Sequence, residues 1–167
     1  MVKRATKIRW GLESNFHSEV RSPVFNNMRG TICLNIGFAT TNNLLKLRKK
    51  FDVVYGIDND PVTKYHNPIT PSYFQKLEKQ NIFIVFADYN KILKYFPFNY
   101  VDTIIMSYSW YGAKQRKRLA EELYRITKKD GMLYLKHPLT DDEVKLIRGV
   151  GWKLIQLYGD DEYIFIK

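Results

Sequence analysis

The order of strand-like and helix-like stretches constrains this chain more than any other feature. From Thr31 onward, short runs rich in β-branched and aromatic residues alternate with stretches whose apolar residues recur at helical spacing. Residues 31–36, 52–57, 82–86, 101–106 and 132–135 read as strands. Strands separated by helices fold as a parallel sheet, because each return to the same edge needs a long crossover and the crossover helix covers a face. The pattern breaks at the end. Residues 152–158 and 162–166 are separated only by Gly159-Asp160-Asp161, too short for a crossover, so this pair must be antiparallel. The predicted fold is α/β: a seven-stranded, mostly parallel sheet with helices on both faces and a C-terminal antiparallel hairpin.

Local signals set the helix ends. A helix is predicted from near Thr41, with Leu44, Leu45 and Leu47 inward and Lys46, Arg48, Lys49 and Lys50 mostly outward. Thr70 is placed to cap a helix over 71–79, with Pro71 in the first turn, where its missing N–H costs nothing. Ile92, Leu93 and Phe96 mark a short helix that Pro97 ends. Leu119, Leu123 and Ile126 repeat at helical spacing within 113–127. Gly131 is expected to release the chain into the fifth strand. Thr140-Asp141-Asp142-Glu143 matches a capping box before a helix carrying Val144 and Ile147, which Gly149 or Gly151 stops.

A chain of 167 residues fits one domain. Residues 1–30 form a basic segment, expected as a substrate lid, and 31–167 the domain proper. One cysteine, Cys33, excludes an intrachain disulfide, and three separated histidines predict no metal site. No stretch approaches the roughly 18 uninterrupted apolar residues of a membrane span, so a soluble cytoplasmic protein is expected. The net charge of +10 points to polyanions as partners or, alternatively, only to solubility.

In open α/β sheets ligands bind beyond the carboxyl ends of the strands, which directs attention to the residues following each run. Asn35-Ile36-Gly37-Phe38-Ala39-Thr40-Thr41 follows the first strand, and Gly37 suits a tight turn close to a ligand. Asp58 lies 21 positions beyond Gly37, near the offset of about 20 at which an acid reaches ribose hydroxyls. Asp88 and Tyr89 follow the third strand, Asp88 as an acceptor for an adenine amino group, a helix cap, or both, and Tyr89 as a cover for a ring face. Ser107-Tyr108-Ser109-Trp110-Tyr111 follows the fourth, a run of hydroxyls and rings.

Taken together, these residues resemble the class I, Rossmann-like S-adenosylmethionine-dependent methyltransferases over roughly 31–167. Residues 33–40 resemble that family's glycine-rich first motif, with Asn35 where an acid is usual and Ala39 and Thr41 where later glycines stand. Gly56-Ile57-Asp58 resembles the second motif, Ala87-Asp88-Tyr89 the third, and the stretch from Phe96 to Ser107 the lead into the fourth. The resemblance implies S-adenosylmethionine as cofactor, held by Asn35, Gly37, Phe38, Ala39, Asp58, Asp88, Tyr89 and Ser107. A dinucleotide, whose pyrophosphate depends on close backbone approach at several glycines, is disfavoured by Ala39 and Thr41.

Methyl transfer from a sulfonium asks the protein mainly to align the acceptor and exclude water. Ser107 and Tyr108 are expected as polar contacts to the acceptor and Trp110 as a stacking wall. Ser107-Tyr108-Ser109-Trp110 keeps the ends, without the two prolines, of a motif found in members that methylate amino groups. His17 and His137 are candidate proton acceptors or simply structural residues. Lys114, Arg116, Lys117 and Arg118 oppose a helix dipole and, with Lys3, Arg4, Lys7 and Arg9, are expected to meet DNA or RNA. The other readings are an inactive, basic nucleic-acid-binding or scaffold protein of the same fold, and a protein or small-molecule methyltransferase.

Overall fold

The computed structural model describes residues 22–38, 40–59, 70–107, 109–112 and 115–167. Seven strands form one sheet: β1 (Ile32–Ile36), β2 (Val53–Asp58), β3 (Ile82–Phe86), β4 (Val101–Ser107), β5 (Thr127–Lys136), β6 (Lys153–Tyr158) and β7 (Glu162–Ile166). Their order is β3-β2-β1-β4-β5-β7-β6. Strands β1 to β5 run parallel, and β7 pairs antiparallel with both β5 and β6. This is the mixed sheet expected from the sequence.

Six helices flank it among the described residues: α1 (Ser22–Asn27), α2 (Thr41–Arg48), α3 (Pro71–Glu78), α4 (Tyr89–Ile92), α5 (Arg116–Ile126) and α6 (Asp141–Val150). A 3-10 turn, Leu93–Tyr95, prolongs α4, and a second covers Ser109–Gly112. The alternation of side chains along each strand divides the core in two. On one face Leu34, Ile104, Met106, Leu133 and Leu135 pack with Leu93 of the first 3-10 turn, Leu119 and Leu123 of α5 and Ile147 of α6. On the other, Cys33, Val54, Ile105 and Tyr134 pack with Leu44 and Leu47 of α2, Leu77 of α3 and Val24 of α1. Val24 and Met28 are therefore part of the core, so packing begins before the boundary expected at Thr31.

The caps form as the sequence requires. Thr70 Oγ1 accepts from Tyr73 N, and Thr140 and Glu143 satisfy each other's backbone donors. Gly151, at φ +126°, ends α6, while Gly149 lies inside it.

Strand β5 departs from expectation, for it begins at Thr127 directly out of α5 and not after Gly131. Its register on β4 jumps between the pairs Val101–Thr127 and Thr103–Met132, and Asp130 turns at φ +62°. Lys128, in this bulge, reaches the Asp102 carboxylate at 2.9 Å. The same oxygen accepts from the backbone N–H groups of Thr31 (3.0 Å) and Ile32 (2.9 Å). A Lys-Lys-Asp-Gly run reads as a loop, and an ion pair 26 positions distant holds it against the sheet. Among the described residues no helix is long and apolar enough to cross a membrane.

Candidate functional site

Because β1 to β5 are parallel, their carboxyl ends share one edge, and the residues singled out in the sequence lie along it. Backbone hydrogen bonds hold the loops side by side: Gly37 N donates to Ile57 O (2.7 Å), and Ala87 N to Asp58 O (3.0 Å). Asp58 pairs in register with Phe86, so Asp58 and Asp88 end neighbouring strands beside the turn at Gly37. That turn needs glycine, because its φ is +71°, where a β-carbon is strained, and because the Ser109 hydroxyl fills the space such a carbon would take.

Each remaining candidate has a definite place. Asn35 is buried on β1, and its Nδ2 has no hydrogen-bond partner; the same holds for Thr40 Oγ1 and for Ser107 Oγ at the end of β4. Thr40 stands at the N-cap of α2 without capping it through its side chain. Phe38, expected among the cofactor contacts, is instead a core residue: a β-carbon on Gly56 would lie 2.8 Å from its ring. Only its carbonyl faces the turn, accepting from Thr40 N (2.6 Å) and Asn43 Nδ2 (2.8 Å). Asp88 caps α4, accepting from Asn90 N at 2.9 Å.

Tyr89 does not offer a ring face. It is buried, and its hydroxyl donates to the Ser109 carbonyl at 2.6 Å. Burial, with the negative Asp88 beside it, pushes that phenol up to about 12. Trp110, expected as a stacking wall, is fully buried in the core, and its indole Nε1 donates to Glu143 Oε1 at 3.0 Å. Fifteen per cent aromatic composition supplies many rings to choose from, and sequence alone does not say which of them the second 3-10 turn rotates inward. Ala39, Tyr108 and Lys114 lie outside the described residues, as do Lys3, Arg4, Lys7, Arg9 and His17.

Two residues carry more of this edge than the sequence suggested. Ser109 Oγ donates within reach of Ile36 O (3.1 Å) and Ser107 O (3.2 Å), tying the loop after β4 to the turn after β1. Glu143, legible only as a capping residue, also accepts from Trp110 and pairs with Arg116 at 2.5 Å. Burial opposes its ionisation, but hydrogen bonds from Thr140 and Trp110 and the Arg116 charge outweigh it and hold the carboxyl below its ordinary range. Arg116 is thereby committed within the protein, whereas Lys117 and Arg118 are exposed. His137 is buried, and its backbone N donates to Asp161 O at 2.5 Å. Burial lowers its pKa against the pull of Glu143, so the imidazole is neutral at pH 7.

The donor set suits the cofactor implied by the resemblance. Buried polar groups are nearly always hydrogen-bonded, and three unpartnered ones stand close to Gly37: Asn35 two residues before it, Thr40 three after, and Ser107, whose carbonyl is 3.8 Å from the position of a β-carbon there. Nitrogen and hydroxyl donors of this kind match the carboxylate and hydroxyls of an amino acid nucleoside, and two carboxylates stand at the neighbouring strand ends.

Comparison with known proteins agrees. A family model described as a methyltransferase domain matches residues 34–135. Among solved structures, the chain is similar to a SAM-dependent methyltransferase from Aquifex aeolicus, with 20% identity, 96% of this chain and 97% of that one covered, and a TM-score of 0.69. It is also similar to a TehB-like SAM-dependent methyltransferase from Corynebacterium glutamicum, with 15% identity, 98% and 95% covered, and a TM-score of 0.64. At these identities the likeness concerns the fold. No curated protein matches the sequence. The family match spans more than half of the chain and includes the turn at Gly37, Asp58, Asp88 and Ser107, and the chain belongs to the methyltransferase domain family.

Proposed function

We propose that this protein transfers a methyl group from S-adenosylmethionine to a nucleic acid. The observation that carries the cofactor assignment is the cluster of unpartnered buried polar atoms, Asn35 Nδ2, Thr40 Oγ1 and Ser107 Oγ, around the glycine turn. Asp58 and Asp88 supply acceptors for ribose hydroxyls and for an adenine amino group, in keeping with their places at the ends of β2 and β3. When bound, the cofactor supplies a methyl group already activated as a sulfonium.

The protein's own task is alignment and exclusion of water. Ser107 closes β4 at the edge where an acceptor enters, and its hydroxyl orients the acceptor by a hydrogen bond. Ser109 and Tyr89 hold the loop behind it, and Trp110 anchors that loop through Glu143. A nucleic-acid acceptor is favoured by the net charge of +10 and by exposed Lys117 and Arg118 at the start of α5.

Calorimetric titration with S-adenosylhomocysteine tests the cofactor, and transfer of labelled methyl from S-adenosylmethionine to RNA, DNA or protein tests the acceptor. Absence of heat and of thermal shift at millimolar S-adenosylhomocysteine would leave a non-enzymatic protein of the same fold. Label on protein alone would reassign the acceptor.

A further inference from the structure

Helices α4 and α5 enclose a groove of about 210 Å³ on the flank of the domain, which reaches the sheet edge described above at Asp88. We propose that this groove is a track for single-stranded nucleic acid, leading its backbone to the cofactor end of the sheet. The inference rests on the nucleic-acid reading of the acceptor and deepens it by naming the strandedness and the path.

Charge is the first argument. Lys91 and Lys94 line one wall and Arg118 the other, and all three are exposed. Neither the Lys91 ammonium nor the Arg118 guanidinium has an ion pair or hydrogen bond among the described residues. The acids nearby are already engaged: Glu122 accepts from Arg125 at 2.9 and 3.1 Å, and Asp88 caps α4. Three exposed cations stand against two acids, of which Glu122 is already paired with Arg125, so the groove is net positive and favours an anionic occupant such as a phosphodiester backbone.

Aromatic surface is the second. Just past Lys94 along the chain, Tyr95 is 72% and Phe98 65% exposed, the two most exposed large hydrophobic residues among those described. Each has an ammonium 5.0 Å from its ring centre, Lys94 over Tyr95 and Lys167 over Phe98. Rings flanked by cations are how proteins hold unpaired bases, which stack irrespective of sequence. A duplex offers no free base faces to these rings. An acidic peptide would satisfy the cations but not the rings.

The third is direction. The opposite end of the groove is bounded by Asp88 and Gln115, at the carboxyl end of β3 and the start of α5. A strand laid along the lysines therefore arrives beside the proposed adenosine site.

The test uses the full chain and a labelled single-stranded RNA of about 16 nucleotides, the upper site size of single-strand binding folds, with anisotropy read across a salt series. The charge-reversed variant Lys91→Glu/Lys94→Glu/Arg118→Glu is expected to bind at least tenfold more weakly, with a log–log salt slope smaller by about 2. Tyr95→Ala/Phe98→Ala should weaken binding roughly tenfold with the slope unchanged. All five side chains are exposed, and an unaltered S-adenosylhomocysteine thermal shift verifies that the variants are folded. Unchanged RNA affinity in the charge-reversed variant overturns the track, as does competition by duplex RNA or polyglutamate equal to that by single strands. Loss of RNA binding in that variant, in a protein that places no methyl label on RNA, leaves the track standing and removes the acceptor assignment instead.

Discussion

The hydroxyl of Ser109 stands where a β-carbon on Gly37 would have to go. Two loops 73 positions apart thus share one small space, closed by the bond from Ser109 Oγ to Ile36 O. Any change in one loop is felt in the other. The glycine turn under the proposed cofactor and the loop proposed to face the acceptor are therefore one mechanical unit.

Gly37→Ala should be destabilising twice over, through overlap with Ser109 and through the left-handed φ of +71°. The second term alone costs roughly 1 to 2 kcal/mol. In thermal denaturation the double variant Gly37→Ala/Ser109→Ala is expected to recover the overlap but not the backbone strain, giving a clear coupling energy in a double-mutant cycle. Simple additivity of the two single changes would show that the loops are independent.

Glu143 joins three elements, and its removal should show in stability before activity. Glu143→Ala leaves the Trp110 indole N–H and the Thr140 N–H without their acceptor and Arg116 without its partner. A loss of about 3 kcal/mol is expected in urea denaturation. Glu143→Gln, which keeps an acceptor oxygen, should lose about half as much.

Asp102 predicts an acid limit to stability. Burial raises its pKa, but hydrogen bonds from Lys128, Ile32 and Thr31 outweigh this and hold the carboxyl below its ordinary range. A depressed folded pKa means that the contribution is complete above the unfolded value of about 3.9 and disappears as pH falls through the folded one. Asp102→Asn should therefore be less stable than the parent at pH 7, with a gap that narrows below about pH 4. A gap constant from pH 7 to 3 would assign the effect to something other than this charge.

Asp58 and Asp88 should both be needed to hold the adenosine. Asp88→Ala removes the α4 cap, at a cost of about 1 kcal/mol, as well as the proposed adenine contact. Asp58→Ala removes an acceptor from the end of β2 without touching a cap. Both are expected to weaken S-adenosylhomocysteine binding at least tenfold by calorimetry, and Asp88→Ala should also lower the melting temperature through the lost cap. Unchanged affinity in both variants would place the adenosine elsewhere.

The placements in the candidate site that could be read in advance are those set by position along a strand. Gly37, Asp58, Asp88 and Ser107 each end a strand whose run of β-branched residues is visible in the chain, and parallel strands bring such ends to one edge. Phe38 and Trp110 could not be placed this way. Both are aromatic residues in loops beside the site, and whether such a ring faces a ligand or the core depends on what lies opposite. For Phe38 it is the bare backbone of Gly56; for Trp110 it is a carboxylate 33 positions further on.

By itself, then, the sequence determined the element order, the choice between parallel and antiparallel neighbours, and the helix caps, since each depends on residues within a few positions of one another. The tertiary structure alone decided which rings turn inward, that Ser109 closes over Gly37, that Arg116 is spent on Glu143, and that Lys128 draws the start of β5 onto Asp102. These depend on groups far apart in the chain meeting within hydrogen-bond reach, where a polar atom without a partner is costly and one with a partner decides the local conformation.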